Sequence, residues 1–98
     1  NDSSFVVAAR SLAKSMMNHK TQPKEQIRAG YRNILIRDIS DQKLDVLEGL
    51  YDDALKEYRQ DKVAATKLAA ERNATPELAA MTIVANALLN LDEVITKE

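Results

Sequence analysis

The chain has 98 residues, 30% of them charged, with a net charge of −1 at pH 7; that suits one domain built on a single modest core. The balanced charge argues against nucleic-acid binding, which needs a clustered excess of Lys and Arg. The absence of cysteine excludes a disulfide, a thiolate metal site and a C-x-x-C-H haem-attachment motif in the chain.

Two glycines, two prolines, abundant Ala, Leu, Lys and Glu and no alternating runs predict an all-α fold. Asp2, Ser3 or Ser4 can cap a first helix running to about Asn18. Its apolar side carries Phe5, Val6, Ala9, Leu12, Ala13, Met16 and Met17, and its polar side carries Arg10, Ser11, Lys14 and Ser15. NHKTQP interrupts the pattern, because Pro23 disfavours a helical residue before it.

Pro23 is itself well placed to begin a second helix, predicted to about Arg37, with Ile27, Tyr31, Ile34 and Leu35 inward. Gly30 inside it costs about 1 kcal/mol against Ala and points to a close helix crossing. Ser40 or Asp41 caps a third helix, about Asp41 to Arg59. Leu44, Leu47, Tyr51, Ala54, Leu55 and Tyr58 fall within about a 100° arc of it, the ordinary width of an amphipathic stripe. Asp61 caps a short fourth helix, about Lys62 to Arg72, with Val63, Ala64 and Leu68 expected inward.

Thr75, Pro76 and Glu77 combine a cap, a first-turn proline and an acid at the positive end of the dipole, and so start the last helix. Leu78, Met81, Ile83, Val84, Ala85, Ala87, Leu88, Leu89 and Leu91 spread over most of its circumference. A helix apolar on most sides is buried among several neighbours. The expected architecture is therefore a four- to five-helix bundle with the C-terminal helix central, and Val94 and Ile95 continue its apolar side. Thr82, Asn86 and Asn90 break the run, so it falls short of the roughly 18 apolar residues of a membrane span.

NDSSFVVAARSLAKSMM at the start and MTIVANALLNLDEVITKE at the end, with IRDISDQKLDVLEGLYDDALKEYR between them, resemble a bacterial domain of unknown function. That domain closes large multidomain proteins carrying planctomycete-type cytochrome c domains. The resemblance spans essentially all 98 residues and corresponds to roughly the last part of the family domain; NALLNLDE is its most specific piece. The family tends to carry a proline-containing connection where this chain has Asp38 to Asp41. The resemblance implies an all-helical tail of a periplasmic or otherwise exported protein, often with haem c elsewhere in the parent and none in this fragment. It implies no reaction. The chain opens on NDSSF without Met or signal segment and reads as the C-terminal fragment of such a protein, partnered by its upstream domains.

The candidate site is the strip Thr82, Asn86, Asn90 and Glu93, which share one edge of the last helix. Its ordinary structural role would be to hydrogen-bond the ends of neighbouring connections, in which case Asn90→Ala would cost about 1–3 kcal/mol. Its functional role would be a docking or ligand edge. Lone His19 beside Met16 and Met17 has the side-chain types of haem axial ligands, but a core role for the methionines and a dipole contact for His19 explain them without haem. Asp92 and Glu93 lack the oxygen-rich, glycine-containing loop of a Ca²⁺ site. Asp52 and Asp53 point to different sides of a helix, and Ser11, Ser15 and Ser40 have no histidine partner in sequence. Lys24, Arg28, Arg32 and Arg37 form a basic edge, expected to be solvated and offset by the acidic third helix.

These residues point to a non-catalytic docking or scaffold module, which requires an exposed apolar patch. The alternative is one wall of an oxidoreductase or carbohydrate-processing active site, which requires a concave pocket beside Asn86, Asn90 and Glu93.

Overall fold

The computed structural model describes the backbone of residues 3–97 and the side chains of residues 6–18 and 20–91. Five helices occupy the described residues: α1 (Ser3–His19), α2 (Pro23–Leu35), α3 (Asp41–Gln60), α4 (Lys62–Ala69) and α5 (Pro76–Lys97). The helix starts follow the local chemistry. Pro23 opens α2 and Glu25 lies in its first turn. The Ser40 hydroxyl accepts from the Lys43 amide at 3.2 Å, the Asp61 carboxylate from the Ala64 amide at 3.0 Å, and the Thr75 hydroxyl from the Leu78 amide at 3.0 Å. Asp61 also closes α3, its amide donating to the Tyr58 carbonyl, so one residue joins α3 to α4.

The helix ends differ from expectation. α2 stops at Leu35 because Ile36 turns left-handed (φ 54°, ψ 39°) and its amide donates to the Arg32 carbonyl. α4 stops at Ala69, where Ala70 does the same (φ 55°) toward the Thr66 carbonyl. Arg37 and Arg72 therefore lie outside the helices that the sequence predicted would contain them.

α5 packs against each of the other four helices, most extensively α1 and α3, which share no substantial interface with one another. It stands between them at the centre of the bundle. Ala79, Ala80, Met81, Val84, Ala85 and Leu88 are buried on it, while Asn90 is exposed. The core takes Ala9, Leu12, Ala13 and Met16 from α1, Ile27 and Tyr31 from α2, and Leu44, Leu47, Tyr51 and Ala54 from α3. Val94 and Ile95, expected to extend this face, have side chains outside the described residues.

Gly30 marks a close crossing. A Cβ there would lie 2.7 Å from the Met16 sulfur and 2.9 Å from its Cγ, so α1 and α2 approach through the missing side chain. α4 uses a different face from the one predicted. Ala65 and Ala69, four apart, are buried, and Val63 is 68% exposed. A helix of eight residues tied by a one-residue joint is oriented by its ends, and its small side chains admit the closest backbone approach. The Arg10 Nε donating to the Leu68 carbonyl at 2.7 Å fixes the far end, beside an ion pair of Lys14 with Glu71.

Candidate functional site

The strip on α5 does not form a row of equivalent groups. Thr82 is 2% exposed, and its hydroxyl donates to the Leu78 carbonyl of its own helix at 2.8 Å. Asn86 is half-buried, and its Oδ1 is buried without a partner among the described residues. Asn90 is exposed, and the Glu93 side chain lies outside the described residues. Ile83 and Ala87, both half-buried, share this side of α5 with the two amides. Of the four grooves described on the surface, none is lined by Thr82, Asn86 or Asn90.

The most voluminous of these grooves, about 610 Å³, lies between α1 and α2. Leu12, Met16 and Gly30 line it along the crossing, and Arg32, Asn33 and Ile36 line it toward the end of α2. Ile36 is 84% exposed. A β-branched residue in the left-handed region is uncommon and strained, so the turn that ends α2 holds a large apolar side chain out in solvent. The adjoining Ile34 and Leu35 are half-buried against the core.

The basic edge of α2 is largely offset locally. Arg32 meets Asp38 at 2.6 Å, Arg28 meets Glu25 at 3.4 Å and Lys24 meets Glu48 at 3.9 Å. These exposed pairs each contribute little to stability, and they leave no concentrated cationic surface along α2. Lys43 Nζ lies 3.4 Å from the Tyr31 hydroxyl and 5.9 Å from the ring centre. The hydroxyl stands between ammonium and ring, so the contact is a hydrogen bond at the ring edge and not a cation over the ring face.

Ser15 lines the α1/α2 groove, and its described lining holds no imidazole or carboxylate. Met16 is buried over Gly30 as a gap-filling core side chain, and Met17 packs against the core. The His19 side chain, which the haem reading required, lies outside the described residues. Among the described residues no group of three His, Asp or Glu could hold a metal ion, and no helix is long and apolar enough to cross a membrane.

Sequence reasoning missed Ile36 and Ile39. Both were assigned to the end of α2 or its connection, yet Ile39 is buried in the core and Ile36 is the most exposed of the large apolar residues described. Two isoleucines in IRDIS, outside any helical period, were the available signal. No family model, curated protein or solved structure matches the chain.

Proposed function

We propose that this chain is a non-catalytic helical module whose α1/α2 face docks on another domain of the protein to which it belongs. The observation that carries this reading is Ile36, an exposed apolar side chain held in a strained turn beside an apolar groove. A glycine would make the same turn without strain, so the isoleucine side chain contributes nothing to ending α2. Covering the exposed Ile36 side chain gains about 25 cal/mol per Å² of apolar surface removed from water. The setting we propose, at the C-terminus of an exported cytochrome-type protein with haem c upstream, is supported by the resemblance of the terminal and middle segments. None of the four described grooves is lined by Asn86 or Asn90 themselves, as an active-site wall would require, although Ile83 on the same side of α5 lines one of them.

Hydrogen exchange of the longer parent protein, compared with the 98-residue chain, tests the docking. Slower exchange of the amides of residues 12–16 and 29–36 in the parent is the expected result. Equal exchange in both would overturn docking on this face. An optical haem spectrum of the parent, with and without residues 1–98, tests the setting separately. A parent without haem removes the cytochrome context and leaves the exchange result standing.

A further inference from the structure

A second groove, of about 340 Å³, shares no lining residue with the one between α1 and α2. It opens where the α1–α2 connection, the start of α2, the later part of α3 and the first turn of α5 meet. Met17 and Leu55 supply apolar wall, and Thr21, Gln26, Tyr51, Asp52, Arg59 and Glu77 supply the polar part of the lining. Its volume sits at the small end of ligand pockets, roughly 300–1,000 Å³, enough for one alkyl chain with a polar head.

The polar groups are not equivalent. Gln26 is 5% exposed, and its side-chain amide is committed to the Lys20 carbonyl, to which Nε2 donates at 2.9 Å. Tyr51 is 3% exposed. No described hydrogen bond engages its hydroxyl, and the residue lines the groove. Burial and then the Glu77 carboxylate raise the Tyr51 pKa, which keeps the hydroxyl neutral and able to accept a hydrogen bond. Arg59 Nη2 stands 3.8 Å from Glu77 Oε2, beyond hydrogen-bond distance. Glu77 thus attracts a guanidinium already, and Arg59 leaves its hydrogen-bonding capacity free. Two carboxylates against one guanidinium leave the lining with an excess of negative charge.

We propose that this groove binds a primary ammonium or guanidinium group, carried by a free amine or by a Lys or Arg side chain of a partner. Asp52 and Glu77 compensate the cation, the Tyr51 hydroxyl is a further acceptor, and the alkyl stem lies on Met17 and Leu55. The site stands apart from the docking face, and its test does not depend on a parent protein.

Backbone amide NMR of the 98-residue chain at low salt supplies the test, with agmatine, cadaverine and N-acetyl-arginine methylamide as probes. N-acetyl-citrulline methylamide and pentanol are the uncharged controls. Saturable shifts at residues 26, 51, 52, 59 and 77 with the cations, and none with the controls, are expected. Asp52→Asn and Glu77→Gln should each weaken binding about fivefold, the scale of one exposed charge contact. The same spectra report whether each variant is folded; Asp52→Asn is an exposed position inside α3 and keeps the test open if the α5 start is disturbed by Glu77→Gln. Stronger binding of the free amines or of the blocked arginine assigns the source of the cation. Absence of saturable shifts with every cation, equal shifts with the uncharged controls, or undiminished binding in both variants would overturn the proposal.

Discussion

At the scale of single residues, this chain stores strain where it turns and, among the described residues, leaves the Asn86 amide oxygen unmatched. Ile36 occupies the left-handed region with its side chain in solvent. Ile36→Gly should therefore raise stability, by about 1 kcal/mol once the freedom of glycine in the unfolded chain is discounted. Thermal unfolding of the 98-residue chain checks this, and a lowered midpoint would show that the isoleucine supports its own fold. Gly30 is the reverse case. A Cβ there overlaps Met16, and an overpacking cost of about 1–3 kcal/mol outweighs the roughly 1 kcal/mol that Ala gains over Gly in a helix. Gly30→Ala should lower the midpoint unless Met16 can swing aside, which an unchanged midpoint would reveal. Asn86→Ala should stabilise, since it removes a buried acceptor without a partner, a liability of about 1–3 kcal/mol. Asn90→Ala should change stability by less than about 0.5 kcal/mol because the residue is exposed, in contrast to the loss expected of a buried amide. A marked loss in either variant would restore a structural role to the strip.

At the scale of elements, capping decides where helices begin, and packing decides which face they bury. Asp61 serves two helices at once, closing α3 with its amide and capping α4 with its carboxylate. Asp61→Ala should cost about 1 kcal/mol by urea unfolding, whereas Asp53→Ala, exposed inside α3, should be nearly neutral. Equal effects would remove the cap from the account. α4 shows the other half. Val63, Ala64 and Leu68 made a plausible inward face on hydrophobicity, but Ala65 and Ala69 are the buried pair. Hydrophobicity ranked valine above alanine, and the close approach to α5 reversed the ranking.

For the whole molecule, α5 is the shared wall of every other helix, so stability converges on it. Two tyrosines near that wall tie stability to alkaline pH. Burial, with the Glu77 carboxylate, raises Tyr51, and burial, with Glu57 and Asp61, raises Tyr58 above the ordinary value of 10.0. The folded chain then keeps phenolic protons that the unfolded chain gives up. Their contribution is fully present below about pH 10 and is lost as pH rises through the folded values, so stability falls there. Tyr51→Phe with Tyr58→Phe should flatten that fall in urea midpoints between neutral and strongly alkaline pH; an unchanged slope would place the sensitivity elsewhere.

The sequence by itself determined that the domain is helical, how most helices begin, that Gly30 lies at a crossing and that the last helix is central. Each is written locally, in caps, proline positions, a missing side chain or an apolar circumference, and none depends on a distant partner. The tertiary structure alone decided the left-handed ends at Ile36 and Ala70, the buried face of α4 and the different fates of Thr82, Asn86 and Asn90. It also brought Gln26, Tyr51, Asp52, Arg59 and Glu77 from three helices into one groove. No spacing along the chain encodes that meeting, because the distances between helices are set by how closely their side chains allow them to pack.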